Sequence, residues 1–131
     1  MKDKSKNLIK ELTKAEEQIM RILWRLKEGI VKEIIEEIPE PKPAYNTVST
    51  VIRVLETKGF VDHKVYGSSH IYYPIVAEKD YKAFAFDKIF SNYFNNSYKQ
   101  LVTFLVDEKQ IGEDEIKELT QMVEQLKNKK E

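Results

Sequence analysis

Between Lys14 and Val76 the hydrophobic period changes once, and that change restricts the fold more than any other feature of the chain. Up to Lys58 apolar residues recur every three or four positions; from Phe60 they alternate with polar ones. Ala15, Ile19, Ile22, Leu23 and Leu26 mark a first helix over about 14–26, widened by Met20 and Trp24. Thr13-Lys14-Ala15-Glu16 reads as a capping box at its start, and Gly29 as its stop. Val31, Ile34, Ile35 and Ile38 predict a short second helix ended by Pro39. The three prolines of Pro39-Glu40-Pro41-Lys42-Pro43 make the next stretch a loop, because they remove donors and fix φ. Val48, Val51, Ile52 and Leu55 predict a third helix over about 45–58, with Asn46 the best local N-cap and Gly59 at C′. Phe60–Val65 and His70–Val76 then flank Tyr66-Gly67-Ser68-Ser69, a hairpin signal.

Three short helices followed by a two-stranded wing give a mainly α fold with a small β-hairpin, the winged helix-turn-helix arrangement. The remainder is helical again. Residues 78–109 are rich in aromatics, from Tyr81 to Phe104, with Asn95-Asn96-Ser97 as a kink or break. A last helix opens at Gly112-Glu113-Asp114-Glu115, with Gly112 as N-cap and Ile111 and Ile116 as a hydrophobic staple. Ile116, Leu119, Val123 and Leu126 form a short heptad-like seam. The expected division is a DNA-binding winged domain over 1–76 and a helical dimerisation domain over 77–131. The second part holds more apolar residues than a small domain needs. Phe90, Phe94, Leu101, Val102, Leu105, Ile116, Leu119 and Val123 are therefore expected at a homodimer interface.

The third helix carries the functional signal. Asn46, Ser49, Thr50, Arg53 and Thr57 share one face, opposite the apolar stripe. That face holds no apolar side chain and no carboxylate, which phosphates would repel. It offers the donors that base edges and phosphates accept. On the wing, Lys64, Tyr66, Gly67, Ser68, Ser69 and His70 place a cation and small residues near a backbone that can approach phosphate closely.

Charge neither supports nor excludes this by itself. The chain has 22 Lys+Arg and 22 Asp+Glu, so no overall basic field exists. Residues 77–131 hold 9 basic and 11 acidic side chains, so the acidic surplus lies away from the wing. Lys42, Arg53, Lys58 and Lys64 are the cations expected near DNA. Eight per dimer would give a log–log salt slope of about −7, with Lys2, Lys4, Lys6 and Lys10 as possible additions. Cysteine is absent, which excludes disulfides, thiolate nucleophiles and Cys-ligated metals. The two histidines, His63 and His70, have Asp62 nearby but no well-spaced third ligand, so no metal site is expected. With no phosphate-cradling Gly loop either, no enzyme and no cofactor are expected. No apolar run is long enough to span a membrane, and Met1-Lys2-Asp3-Lys4-Ser5-Lys6 lacks the apolar core of a secretory signal; the expected location is the cytoplasm.

Several separated blocks resemble the penicillinase-repressor family of the BlaI/MecI type. They are Leu12-Thr13-Lys14-Ala15-Glu16 with Ile19-Met20 and Leu23-Trp24, then Tyr45-Asn46-Thr47-Val48-Ser49-Thr50 with Leu55. Lys58-Gly59-Phe60-Val61-Asp62-His63-Lys64, Tyr72-Tyr73 and Asp114-Glu115-Ile116 with Glu118-Leu119 complete the set. The resemblance runs in register from about Leu12 to Leu126. It implies a homodimeric repressor whose winged helix binds a twofold-symmetric double-stranded DNA operator. Carried over by position, Asn46, Thr47, Ser49, Thr50 and Arg53 are the helix contacts, and Lys64 and Ser68 the wing contacts. It also implies release by a membrane sensor protease cutting an Asn-Phe bond. Phe104-Leu105 stands at that position, so the Asn is missing. Asn46, Ser49 and Val54 replace positions that tend to be Lys or Arg in staphylococcal-type members, so the operator sequence is not transferable. The absence of Cys excludes the thiolate copper sensing of other members. Two other readings compete: a winged module for protein interaction only, and a regulator gated by a ligand at the aromatic junction of Tyr81, Phe84 and Phe86.

Overall fold

The computed structural model describes residues 9–130. Helix α1 spans Lys14–Leu26, α2 Val31–Glu36 and α3 Tyr45–Thr57. Strands β1 (Val61–Tyr66) and β2 (Ser69–Pro74) form an antiparallel hairpin, followed by α4 (Glu78–Phe94), α5 (Tyr98–Glu108) and α6 (Glu113–Lys130). The capping box of α1 is present: the Thr13 side chain accepts from the Glu16 N–H at 3.2 Å, and Glu16 accepts from the Thr13 N–H at 2.9 Å.

Three local details differ from the sequence expectation. Helix α1 ends at Lys27, which takes φ 79°, not at Gly29. Gly29 instead exchanges two backbone hydrogen bonds of 2.9 Å with Tyr72, adding a short third rung to the hairpin. Helix α3 is not capped by Asn46. Ala44, extended after Pro43, is the N-cap residue without a side-chain bond, which leaves Asn46 inside the first turn and free to face outwards. The hairpin turn is also tighter than expected. Tyr66 pairs with Ser69, leaving Gly67-Ser68 as a two-residue loop with Gly67 at φ 63°.

The helix and hairpin faces close over one core. Met20, Leu23, Ile34, Ile52, Leu55, Phe60 and Val61 are almost completely buried there. Tyr81 on α4 joins them, with its ring against Trp24, Phe60 and Phe84 and its hydroxyl accepting the Leu12 N–H at 3.0 Å. Trp24 Nε1–H donates to the Val76 carbonyl at 2.9 Å. The aromatic junction considered for a ligand is thus largely packed core, with Phe86 beside it exposed. Contacts divide the chain into compact units Met1–Phe86 and Asp87–Glu131, so the first turns of α4 belong with the winged unit.

One ion pair locks the far end of α3. Lys58 Nζ lies 2.7 Å from Glu16 Oε1 and also donates to the Glu11 carbonyl at 3.3 Å. Burial pushes the Glu16 carboxyl up, but the Lys58 hydrogen bond and the Thr13 N–H outweigh it and hold the group below the usual glutamate value. A carboxyl depressed in the folded state adds stability above its unfolded pKa. That stability is lost as pH falls through the folded one. Glu16→Gln is therefore expected to cost about 1.5–3 kcal/mol near neutrality, towards the lower end because Lys58 keeps some solvent. It should also flatten the decline in stability below about pH 4. Urea titrations of both proteins from pH 3 to 7 check this.

In the second unit Asn95 and Asn96 both take positive φ, 53° and 57°, so the helical run breaks there rather than bending. Ser97 restarts it by accepting the Gln100 N–H. Gly112 precedes α6, and its N–H donates to Glu115 Oε1 at 2.7 Å.

Candidate nucleic-acid interface

Helix α3 buries Val48, Ile52 and Leu55 and turns its polar stripe outwards. Asn46, Thr50 and Arg53 are exposed and Ser49 is half-buried. Arg53 is steadied along the helix, its Nη1 donating to Ser49 Oγ at 3.3 Å. Thr57 turns its hydroxyl back on the Arg53 carbonyl at 3.1 Å.

The stripe forms one wall of an open cleft of about 520 Å³. Asn46, Ser49 and Arg53 line it from α3, Ile30, Val31 and Lys32 from the start of α2, and Ser68, Ser69 and His70 from the wing. Two cations and no carboxylate are among its lining residues. Thr50 and Lys64 stand outside this cleft, and Thr47 faces a separate cavity of about 80 Å³ beside Ala15 and Ile38. Lys64 is exposed and pairs with Glu28 at 3.0 Å.

Two expected DNA-side cations are used internally. Lys42 Nζ caps the end of α2, donating to the carbonyls of Ile35, Glu36 and Ile38. Lys58 is tied to Glu16. Lys2, Lys4 and Lys6 lie outside the described residues. Tyr45, Lys32 and Tyr72 also line the cleft and were not legible as site residues in the sequence. Tyr45, 58% exposed at the first turn of α3, lines the cleft with Lys32. Tyr72 forms the buried floor beneath His70. Burial raises the Tyr72 hydroxyl pKa, the Glu56 carboxylate adds to the rise, and Arg53 opposes it. An exposed aromatic at a helix start was the one available signal for Tyr45.

The residues expected to dimerise fall into two groups. Phe90 is buried within its own chain, with its ring 4.8 Å from that of Tyr98, and Phe94, Leu101 and Leu105 are half-buried. Val102, Ile116, Leu119 and Val123 are exposed, as are Phe104, Met122 and Leu126.

A family model described as penicillinase repressor matches residues 12–125. The chain belongs to the penicillinase repressor family. Among similar members is the methicillin resistance regulatory protein MecI of Staphylococcus aureus (strain N315), 33% identical over 83% of this chain and 89% of that protein. The penicillinase repressor of Bacillus licheniformis is 26% identical over 93% of this chain and 96% of its own length. The solution structure of the DNA-binding domain of the repressor BlaI is 27% identical, with a TM-score of 0.50 over 56% of this chain and 90% of that one. That domain shares the winged helix-turn-helix fold. Penicillinase repressors are regulators, so this member is not an enzyme. Among its described residues no helix is long and apolar enough to cross a membrane.

Proposed function

We propose that the chain is a homodimeric transcriptional repressor that binds a twofold-symmetric operator and acts in the cytoplasm. The carboxylate-free cleft carries this reading: one wall is the Asn46–Ser49–Arg53 stripe and the other the wing. BlaI, named as a repressor with a DNA-binding domain, supports it. Helix α3 enters the major groove, where Arg53 reads guanine and Asn46 adenine. Thr47, Ser49 and Thr50 contact bases or phosphates along the helix edge, and Lys64 and Ser68 hold the backbone from the wing.

Dimerisation belongs to the second unit. Val102, Ile116, Leu119, Met122, Val123 and Leu126 are each more than 40% exposed in the single chain, and such an apolar surface favours a second copy. The same reading assigns release to proteolysis in this unit by a membrane sensor protease. Phe104-Leu105 lies inside α5, with the Phe104 ring against Phe94, so cleavage there requires α5 to unwind.

Incubating the purified protein with sheared genomic DNA and sequencing the retained fragments tests the reading. Enrichment of inverted repeats is expected. No retention favours the protein-interaction module instead, and retention without any shared sequence overturns the operator reading. Salt dependence gives a second check. Lys42 and Lys58 are engaged internally, whereas the Lys64–Glu28 pair is exposed on both sides and can open to phosphate, so Lys32, Arg53 and Lys64 count as three cations per chain. The expected log–log slope is then about −5 rather than about −7. Lys64→Ala should flatten it by about 2 per dimer, whereas Lys42→Ala should leave it in place; anisotropy titrations between low and moderate salt read both.

A further inference from the structure

We propose that Glu56, Asp62 and His63 form a binding site for a divalent transition-metal ion of the zinc class, at the joint between α3 and the wing. Glu56 lies in the last turn of α3; Asp62 and His63 follow one another in β1. His63 Nδ1 is 2.7 Å from Glu56 Oε2, across two different elements. Asp62 Oδ1 accepts the backbone N–H of His63 at 2.7 Å, which folds its carboxylate back towards that residue instead of leaving it on the other side of the strand. One ligand atom from each of the three lies within 4.8 Å of the others.

The donor set fits the metal class. Imidazole nitrogen and carboxylate oxygen bind zinc at about 2.0–2.2 Å, which places tetrahedral donors about 3.3 Å apart. Reaching that spacing takes a small opening at the His63–Glu56 contact and a small closing elsewhere, within the reach of side-chain rotation. Two carboxylates and one imidazole leave a fourth position for water. Without thiolates the set suits zinc, cobalt, nickel or copper(II) rather than copper(I). The His63 ring is also held in place independently of Glu56. The His70 ring stacks on it at 4.4 Å with 12° between planes, and Tyr72 packs against both. Such support around a ligand fixes its orientation before the ion arrives.

The position gives the ion a consequence, which rests on the DNA-binding reading. Glu40, Glu56 and Asp62 are the only carboxylates between residues 39 and 76. An ion on Glu56 and Asp62 neutralises two of those three beside the surface that meets phosphate. It also fastens the wing to the recognition helix. Metal loading should therefore raise operator affinity.

The test uses the full-length, tag-free chain titrated with cobalt(II) and zinc. Because the chain has two histidines in all, an imidazole-ligated ion can only report on His63 or His70. The expected result is one saturable ion per chain, with a cobalt absorption band that zinc abolishes. His63→Gln and Asp62→Asn should each weaken binding more than tenfold, while His70→Gln keeps one ion per chain. Asp62 is exposed, so its variant keeps the fold even if loss of the His63–Glu56 contact does not leave His63→Gln folded. No saturable binding, binding that survives Asp62→Asn, or binding that His70→Gln abolishes overturns the site. Operator titrations with and without zinc then test the coupling: a severalfold tightening supports it, and unchanged affinity in the loaded protein overturns it. Metal binding is measured without DNA, so a protein that takes the ion but no DNA overturns the repressor reading and leaves the site standing.

Discussion

Glutamate at both Leu119 and Val123 is expected to convert the protein to a monomer and to lower operator affinity by about 10²- to 10⁴-fold. Both side chains are about half exposed in the single chain, 49% and 53%, so replacing them removes no core packing. They lie four residues apart on α6, between Ile116 and Leu126, and each new carboxylate would face its counterpart's side in a twofold interface. The loss arises because two linked readers bind the second half-site at high effective concentration, and two separate readers do not. Light scattering should show the single-chain mass, and affinity for an isolated half-site should stay unchanged. A variant that remains dimeric would place the interface elsewhere on the second unit.

Arg53→Ala carries the second large effect. The guanidinium is exposed, faces the cleft and is oriented by Ser49, so it can present two parallel donors to a guanine edge. Its removal should cost about 1–3 kcal/mol of discrimination between operator and random DNA, about 5- to 150-fold. A phosphate contact would instead weaken both by the same factor. The ratio of the two affinities separates these roles, and an unchanged ratio removes Arg53 from base reading.

The elements were legible in the sequence because each hydrophobic face has one period and one core to meet. Ile19, Leu23, Ile52 and Leu55 are buried as their spacing requires, and the helix break at Asn95-Asn96 follows from the ease with which Asn takes positive φ. Less legible were features decided by neighbours distant in sequence. Gly29 looked like a helix stop because nothing local reveals its pairing with Tyr72. Lys42 and Lys58 looked like free cations; the three carbonyls and the Glu16 carboxylate that hold them are visible only once the chain is folded. The polar stripe of α3 and the wing residues Ser68, Ser69 and His70 were readable, but the start of α2 at Ile30, Val31 and Lys32, which completes the cleft, was not. Nor was Glu56, whose contact with His63 joins a helix to a strand.

In the proposed complex two chains grip two half-sites through α3, with the wings on the flanking backbone. Hydroxyl-radical footprinting of the full-length protein on a selected genomic fragment tests it most directly, with the protein–DNA stoichiometry measured on the same complex. Two chains per site are expected, with two protected patches on one face of the duplex whose centres lie one helical turn (~34–36 Å) or a multiple of it apart. A single patch, or protection without twofold symmetry, would contradict it.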